Sequence, residues 1–334
     1  MKKLLSLMLA MVMLISLCAG CANTDDKADE KNNVEQINTD TVRLGGLKGP
    51  TSMGMVKLLD DNEKGNTEIK YDFTMAATAD ELTGKIINGT LDILALPANV
   101  ASVLYNKSQG EVQILAVNMI GGIFIVQKGE KTINGISDLK GKTIYASGKG
   151  ATPEYALTYL LSQNGIRLES DVSIKWLDEP TEIVAKMQEE ENSVAMLPQP
   201  FVTVATTQLE NLNKVISIGE EWEKSGNSLV NAGIIVRREF AEQNPETVKK
   251  FLSEYKNSTS FVKENISEAS TLIEKYGIVK AQIAKKALSD CDICCYTGEE
   301  MKNMVSGYLE ILSGINSKAV GGNLPGDDFY YVNK

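Results

Sequence analysis

The sequence predicts an α/β protein built from two similar lobes, and an internal repeat is the main reason. Lys48-Gly49-Pro50-Thr51 and Lys149-Gly150-Ala151-Thr152 are matching tetrapeptides 101 residues apart. The same offset, without a gap, relates Leu59 to Leu160, Glu81 to Glu182, Lys85 to Lys186, Leu96 to Leu197 and Pro97 to Pro198. A unit of this length that occurs twice is of domain size, whereas solenoid repeats measure ~20–50 residues. Short apolar runs alternate with helical spacing in both copies, which is typical of α/β lobes.

The first copy is predicted to alternate between strands and helices. Apolar or alternating runs predict strands at 42–47, 69–75, 91–96, 112–117 and 122–127. Helical spacing lies between them, at 53–59, 79–87 and 98–105. We assign all five strands to the first lobe.

The second copy repeats this order. It has predicted strands at 143–146, 172–177 and 194–197 and helices at 153–161 and 181–187. Strands at 215–218 and 229–236 lead back to the first lobe, and the chain then continues as helices from Pro245 onward, which we expect to pack on that lobe. Asp178 and Glu179 lie on a connecting loop and are interpreted as solvated surface.

The N-terminus has the features of a secretory signal. Lys2 and Lys3 precede an apolar run over 4–17, and Cys18-Ala19-Gly20-Cys21 supplies small residues at a cleavage site. The run is too short for a membrane span, which needs ~20 apolar residues. The segment resembles a bacterial lipoprotein signal, which implies removal of residues 1–20 and lipid attachment, such as palmitate, at Cys21; ordinary secretion without lipid is the alternative. Residues 21–40 are the lipidated cysteine and a polar, flexible tether.

Composition excludes several classes of function. The formal net charge is −10, from 34 Lys and Arg against 44 Asp and Glu, which argues against nucleic-acid binding. Histidine is absent, so histidine-dependent catalysis and histidine-ligated metals are excluded. We predict no metal and no cofactor. Cys291, Cys294 and Cys295 are too few for a metal site, and a disulfide between two of them is plausible outside the cytoplasm, although the sequence does not indicate which pair.

The loops that follow the predicted strands are the candidate binding site. Ligands in open α/β sheets bind at the carboxyl ends of strands. Thr152 and Pro153 predict a helix start with a hydroxyl cap, and Thr51-Ser52 offers the same arrangement in the first lobe. A helix start carries partial positive charge and free N–H donors, which suit carboxylate, sulfonate or phosphate oxygens. For either loop alone, simple capping is the favoured interpretation; their duplication favours a shared cleft.

A set of residues on these loops is predicted to bind the ligand. Asn118 interrupts an apolar strand end, where it either binds ligand or satisfies a turn, and Phe201 either stacks on a flat ligand or packs in the core. The predicted ligand-binding residues are Gly49, Thr51, Ser52, Met53, Pro97, Asn99, Asn118, Ser147, Gly150, Thr152, Gln199 and Phe201.

Five motifs together resemble a known family. They are Gly49-Pro50-Thr51-Ser52-Met53-Gly54, Leu96-Pro97-Ala98-Asn99, Asp138-Leu139-Lys140-Gly141-Lys142-Thr143, Thr152-Pro153-Glu154 and Leu197-Pro198-Gln199-Pro200-Phe201. The chain resembles, over about 42–330, the solute-binding lipoproteins of ABC importers, in the group that includes nitrate, sulfonate, taurine and thiamine-pyrimidine binders.

The resemblance implies a bilobed, type II periplasmic-binding fold of two doubly wound lobes. The hinge would have two crossings, at about 128–135 and 225–235. Lobe 1 would comprise residues 41–130 plus 232–334, with the C-terminal helices packed on it, and lobe 2 residues 131–231.

The function implied is capture of a small anionic or heteroaromatic solute and its delivery to ABC permease and ATPase subunits. The protein would be a monomer outside the cytoplasm, attached to the membrane through the lipid only, with no nucleic-acid partner. Two alternatives stay open. One is an enzyme of the same fold, such as a dehydratase or lyase resembling menaquinone-pathway members, and the other is a tethered ligand sensor.

Overall fold

The computed structural model describes residues 41–332. The predicted signal segment, the lipidated Cys21 and the tether lie outside the described residues. Within 41–332, no helix combines the length and the apolar character that crossing a bilayer requires.

Eleven strands form two separate sheets in the described part of the chain. The strands are β1 (Thr41–Leu47), β2 (Lys70–Ala76), β3 (Ile93–Pro97), β4 (Val112–Ile120), β5 (Ile123–Lys128), β6 (Thr143–Ala146), β7 (Ser173–Trp176), β8 (Ser193–Pro198), β9 (Leu212–Ser217), β10 (Val230–Arg237) and β11 (Ile293–Thr297). The first sheet has the order β11-β4-β10-β3-β1-β2, and the second has the order β7-β6-β8-β5-β9. Each sheet with its helices is one lobe, called lobe 1 and lobe 2 below, which confirms the predicted bilobed α/β fold.

Helices cover the faces of both sheets. They are α1 (Pro50–Met53), α2 (Val56–Glu63), α3 (Asp80–Ile87), α4 (Ala98–Lys107), α5 (Thr152–Gln163), α6 (Pro180–Glu189), α7 (Phe201–Gln208), α8 (Ile218–Glu223), α9 (Arg238–Gln243), α10 (Pro245–Glu264), α11 (Ile266–Lys275), α12 (Ala281–Ala287) and α13 (Gly298–Ile315). Short 3-10 turns lie at Ile136–Leu139, Leu288–Asp290, Ser317–Val320 and Asp327–Phe329.

The two sheets have the same plan. In lobe 1, β1 pairs in parallel with β2 and β3, and β10 pairs antiparallel with β3 and β4. In lobe 2, β6 pairs in parallel with β7 and β8, and β5 pairs antiparallel with β8 and β9. The 101-residue offset therefore relates β1, β2, β3 and β4 to β6, β7, β8 and β9. Strand β11 is an addition at the edge of lobe 1.

The first crossing between the lobes lies earlier than expected. We assigned the strand at 122–127 to the first lobe and placed the crossing at about 128–135, but β5 pairs only with lobe 2 strands. The chain crosses instead at Gly121 and Gly122, where φ values of 58° and 74° suit glycine. The expected lobe 1 boundary at 130 is therefore wrong. An apolar run fits either buried sheet equally well, so hydrophobicity alone could not assign this strand.

The second crossing joins α8 in lobe 2 to β10 in lobe 1, between Glu223 and Val230, which overlaps the expected 225–235. The two crossings contact each other directly. Gly121 N–H donates to the Leu229 carbonyl at 2.9 Å, and Asn231 Nδ2 donates to the Gly121 carbonyl at 2.9 Å. Both connections thus run side by side as one hinge.

The C-terminal helices pack mainly on lobe 1, as predicted, but two of them also contact lobe 2. Helix α10 packs on α2 and β11, and α13 packs on β4 and β11. Helix α12 contacts α7, and α13 contacts α5, both of which belong to lobe 2. These contacts make the C-terminal helices part of the interface between lobes.

The disulfide that the sequence allowed among Cys291, Cys294 and Cys295 is not present in the structure, where all three are free thiols. Cys291 and Cys294 are buried. Burial raises the pKa of the Cys295 thiol to about 11. A thiol with a raised pKa is mostly protonated at neutral pH and reacts slowly.

Candidate functional site

A cleft of about 580 Å³ lies between the two lobes, and loops from both lobes line it. Lobe 1 contributes Lys48, Gly49, Pro50, Thr51, Ala77, Thr78, Pro97, Met119, Asn231, Ile278 and Val279. Lobe 2 contributes Ser147, Gly148, Ala151, Pro153, Asp178, Glu179, Pro180, Thr181, Pro198, Gln199, Pro200 and Phe201. The size is within the range of small-molecule sites, which measure roughly 300–1,000 Å³.

Proline is concentrated at this cleft. Six of the chain's eight prolines line it: Pro50, Pro97, Pro153, Pro180, Pro198 and Pro200. Each lies at the end of a strand or at the start of a helix. Proline has a rigid apolar ring and no backbone N–H, so these positions give the cleft fixed, apolar walls.

Half of the predicted binding residues line the cleft. They are Gly49, Thr51, Pro97, Ser147, Gln199 and Phe201. The lining residues do not include Ser52, Met53, Asn99, Asn118, Gly150 and Thr152. The structure gives most of this second group partners within the protein.

The first-lobe loop does not use its hydroxyls as helix caps, contrary to our expectation. Thr51 Oγ1 and Ser52 Oγ both donate to the Leu47 carbonyl, at 3.0 and 2.7 Å. Gly49 occupies the cap position at φ 149°, a conformation that favours glycine, and has no side chain to accept a bond. Ser52 and Met53 are fully buried, and Met53 packs in a core cluster with Val56. In this loop Gly49 and Thr51 line the cleft, whereas Ser52 and Met53 are buried and pack against the rest of lobe 1.

Thr152 is also a structural residue, and its expected role as a helix cap is wrong. Helix α5 begins at Thr152 itself, and Ala151 at the cap position accepts no side-chain bond. The Thr152 hydroxyl is fully buried and lies 2.7 Å from the hydroxyl of Tyr308 on α13. The start of α5 is instead closed by Glu154, whose Oε2 accepts the Gly150 N–H at 2.6 Å. Thr152 thus joins lobe 2 to the C-terminal helices.

Replacing Thr152 with valine should destabilise the protein by about 1–3 kcal/mol, because the Tyr308 hydroxyl is left buried without a partner. Tyr308→Phe should cost a similar amount, and the double variant less than the sum of the two. Chemical denaturation of the four proteins measures this coupling. Additive losses would show that the two hydroxyls do not interact.

Two buried asparagines hold loops beside the cleft. Asn99 Nδ2 on α4 donates to the Gly150 carbonyl of lobe 2 at 3.2 Å. Asn118 Nδ2 on β4 donates to the Thr51 carbonyl at 3.0 Å. The Oδ1 atoms of both side chains are buried and have no hydrogen-bond partner among residues 41–332. Of the two readings of Asn118, the structure favours a side chain that fixes the Thr51 loop.

Gln199 lines the cleft and also connects the lobes. Its Oε1 accepts from the backbone N–H and the hydroxyl of Thr203 at 3.3 and 3.0 Å. Its Nε2 donates to Asp290 Oδ2 of lobe 1 at 2.9 Å, and Lys214 Nζ of lobe 2 lies 2.8 Å from the same oxygen. Asp290 therefore clasps two lobe 2 side chains, and this set of three residues is called the Asp290 clasp below.

Sequence reasoning missed several lining residues, and two of them had been assigned to solvated surface. Asp178 and Glu179 are exposed and line the cleft. The internal repeat relates these two residues to the lobe 1 side of the cleft. Their counterparts 101 residues earlier, Ala77 and Thr78, line the cleft from lobe 1. Ile278, Val279, Met119 and Asn231 have no counterpart in the repeat among the lining residues, and no sequence motif marked them.

Asp292 lies beside the hinge, and we expect the titration of its carboxyl group to affect stability. Burial, together with the negative charges of Glu223, Asp290 and Glu220, raises the pKa of the Asp292 carboxyl. These residues line a second cavity at the crossing, of about 340 Å³. A carboxyl with a raised pKa in the folded state destabilises the fold when it is ionised, and this cost disappears as the pH falls below both pKa values.

Asp292→Asn should therefore stabilise the protein at neutral pH. The side chain is partly exposed and screened by solvent, so we expect a gain of about 0.5 kcal/mol or less. Thermal unfolding of both proteins from neutral to acidic pH checks this, and the gain should shrink toward zero below the ordinary carboxyl pKa of 3.8. A gain in stability that persists at low pH would contradict a raised pKa for the Asp292 carboxyl group.

Comparison with known proteins agrees with this geometry. A family model described as "ABC transporter, phosphonate, periplasmic substrate-binding protein" matches residues 58–288. A protein of Brucella abortus (strain 2308) named as a candidate binding protein is 23% identical over 237 residues, which is 66% of this chain and 70% of the relative.

Two solved structures share the fold. The crystal structure of an ABC transporter protein from Parabacteroides distasonis is similar with a TM-score of 0.75 and 21% identity, covering 88% of this chain and 100% of that one. The periplasmic aliphatic sulphonate binding protein of Escherichia coli is similar with a TM-score of 0.70 and 16% identity, covering 87% and 90%. These similarities confirm the predicted fold of a periplasmic solute-binding protein.

Proposed function

We propose, from the premise that this chain belongs to the phosphonate ABC transporter periplasmic substrate-binding protein family, that it captures a small organic solute between its lobes and delivers it to a permease. The family and the structural neighbours are binding proteins of ABC importers, so this chain is a binding protein and not an enzyme. The menaquinone-type enzyme alternative is thereby set aside.

One observation carries the proposal. The cleft is lined from both lobes, and the lobes are joined by the adjacent hinge crossings, by the contacts of the C-terminal helices, by the Asp290 clasp and by the Asn99–Gly150 hydrogen bond. A solute in this cleft contacts both lobes when they are closed and only one of them when they are open. Such differential contact favours closure, and closure would present a distinct surface to the permease.

The sequence predicts an anionic or a heteroaromatic solute. The apolar walls of the cleft favour a solute with an apolar, heteroaromatic body. Phe201, Met119, Ile278 and Val279 add side chains to the proline surfaces already described. Small-molecule sites combine apolar walls of this type with a few polar groups that orient the ligand. Ser147 and Thr181 offer such groups.

A thermal-shift screen tests the binding function. The purified protein would be heated with representative sulfonates, phosphonates, carboxylates, pyrimidines and amines. A ligand at a hundredfold excess over its dissociation constant stabilises the folded state by ~2.7 kcal/mol. We expect at least one class to raise the melting temperature, and Phe201→Ala to reduce that shift. Binding without any solute uptake in cells would support the sensor alternative.

We also propose that a lipid on Cys21 attaches the protein, as a monomer, to the outer face of the cell membrane. The cysteine and the small residues before it support this proposal. Cys21→Ala should move the protein from the membrane fraction to the soluble fraction, whereas Cys295→Ala should not. An unchanged membrane fraction for Cys21→Ala would contradict lipid attachment.

A further inference from the structure

We infer that the solute binds with an oxyanionic group at the loops after β1 and β6 and directs a flat apolar body toward the hinge, where Met119 and Phe201 select that body. This inference rests on the proposed function, because it gives the class and the orientation of the solute for the same cleft. The class is a phosphonate or sulfonate that carries at least one ring. The strand order of the two sheets supports it.

The strand order shows where each part of the cleft lies. From one side, the strands of lobe 1 follow the order β2, β1, β3, β10 and β4, and those of lobe 2 the order β7, β6, β8 and β5. The chain crosses the hinge from β4 to β5 and returns to β10, so these strands mark the hinge side of each sheet. Strands β2 and β7 are the edges on the other side. The loops therefore succeed one another from β2 and β7, through β1 and β6, toward the hinge.

The loops after β1 and β6 hold free donors and a positive charge. The backbone N–H groups of Gly49, Ser147 and Gly148 have no hydrogen-bond partner within residues 41–332, and all three residues line the cleft. Lys48, on the same loop as Gly49, is the one cation among the described lining residues. Free N–H groups from both lobes beside a cation are what phosphonate or sulfonate oxygens require. The oxyanion therefore lies between these two loops.

The loops after β2 and β7 are acidic. Asp178 and Glu179 line the cleft there, and the Thr78 N–H already donates to Glu81 Oε1 at 2.9 Å. Carboxylates repel an oxyanion, and an apolar body laid over them would remove water from their charges, which is costly. The body of the solute therefore extends from the oxyanion in the other direction, toward the hinge.

The loops on the hinge side are apolar. Pro97 ends β3, Pro198 ends β8, Phe201 begins α7, and Met119 lies near the end of β4. Met119 is buried and Phe201 is half-buried. An aromatic face stacks on planar groups, and a thioether makes favourable contacts with aromatic rings. This end of the cleft therefore favours a flat apolar body over a branched or polar one.

The spacing of the strands indicates the length of that body. Neighbouring strands lie about 4.8 Å apart, so β1 and β4, which are three positions apart in the sheet, are separated by about 14 Å. The cleft volume of about 580 Å³ is also well above the lower limit of roughly 300 Å³ for small-molecule sites. A methyl group would leave most of this space unfilled, whereas one or two rings reach the Met119 side chain.

A series of oxyanions that differ in the body tests the class. Methanesulfonate, benzenesulfonate, naphthalenesulfonate and phenylphosphonate would be titrated into the purified protein by calorimetry. A ring removes more apolar surface from water than a methyl group, so we expect affinity to rise about tenfold or more from methanesulfonate to benzenesulfonate. The tighter of benzenesulfonate and phenylphosphonate identifies the headgroup. Equal affinity for methanesulfonate and the arenesulfonates would overturn the inference.

A benzenesulfonate with an aminomethyl group opposite the sulfonate tests the orientation. Its ammonium group would be directed toward Met119 at the apolar end, so we expect it to bind about tenfold more weakly than benzenesulfonate. Tighter binding than benzenesulfonate, lost in the double variant Asp178→Asn with Glu179→Gln, would place the body beside β7 and overturn the inference.

Two variants locate the two ends of the solute. Phe201→Ala should reduce the preference for benzenesulfonate over methanesulfonate by about tenfold, whereas the control Leu324→Ala, at an exposed apolar side chain outside the cleft, should not. Lys48→Gln should weaken the binding of every sulfonate without changing their order. An unchanged preference in Phe201→Ala would overturn the inference.

The outcome of the thermal-shift screen separates this inference from the proposed function. If no sulfonate or phosphonate binds while another class of solute does, the inference fails and the proposed function stands. If no class of solute binds, the proposed function fails as well.

Discussion

Replacing Asp290 with alanine should weaken solute binding about tenfold. Asp290 of lobe 1 accepts hydrogen bonds from Gln199 and Lys214 of lobe 2, so the clasp stabilises the arrangement of this structure, in which both lobes line the cleft and which we call closed. Hydrogen bonds to charged groups contribute about 1.5–3 kcal/mol, and the partial exposure of Lys214 places the value at the low end. A loss of about 1.4 kcal/mol of closed-state stability corresponds to a tenfold change in apparent affinity.

Calorimetry with the first solute found in the screen measures this affinity, and small-angle scattering measures whether the unliganded lobes are further apart. Asp327→Ala is the matched control, because Asp327 pairs with Lys302 at 3.0 Å without bridging the lobes. The control should leave affinity unchanged. Equal affinity for Asp290→Ala and the parent protein, with the same scattering profile, would show that the clasp does not stabilise closure.

Replacing Asp92 with alanine should reduce the free energy of unfolding by about 2–3 kcal/mol. Asp92 is fully buried before β3, at the end of the sheet away from the cleft. Its Oδ2 accepts from Arg43 N at 3.0 Å and Arg43 Nε at 2.8 Å, and Arg237 Nη2 lies 3.4 Å from its Oδ1. The same contact with Asp92 raises the pKa of Arg43.

The reduction in the free energy of unfolding for Asp92→Ala should be moderate, because the Arg43 side chain is 38% exposed and is hydrated again when its partner is removed. Urea denaturation measures it. Asp61→Ala is the control, since Asp61 forms a surface pair with Lys57 one helical turn away, and such pairs contribute about 0.3–0.5 kcal/mol. A loss for Asp92→Ala no larger than that of the control would contradict the account of β1, β3 and β10 as joined through this carboxylate.

The sequence predicted the fold well because the repeat and the strand pattern agreed. The offset that joins Lys48 to Lys149 also relates the paired strands and the order of both sheets. The sequence assigned β5 to the wrong lobe, because an apolar strand fits either sheet. Only the glycine pair at Gly121 and Gly122 marks the crossing. The sequence left open a disulfide among Cys291, Cys294 and Cys295, and the structure has all three as free thiols.

The sequence placed the candidate site on loops that line the cleft, but only half of its predicted residues lie there. Loops that follow strands were correctly placed at the cleft, yet Thr152 and Ser52 turn their hydroxyls to protein partners. Sequence cannot show which oxygen a hydroxyl will meet when the partner, such as Tyr308, lies more than a hundred residues away. Asp178 and Glu179 were predictable from the repeat, because their counterparts belong to the lobe 1 loop after β2.

Native mass spectrometry of the purified protein, after incubation with a metabolite extract, tests the central claim of a solute-binding cleft most directly. The parent protein should carry one small molecule per chain and release it on unfolding. Thr181→Trp, which places an indole in the cleft from an exposed position on α6, should fold normally and carry none. The same molecule retained in equal amount by Thr181→Trp would contradict a binding site between the lobes.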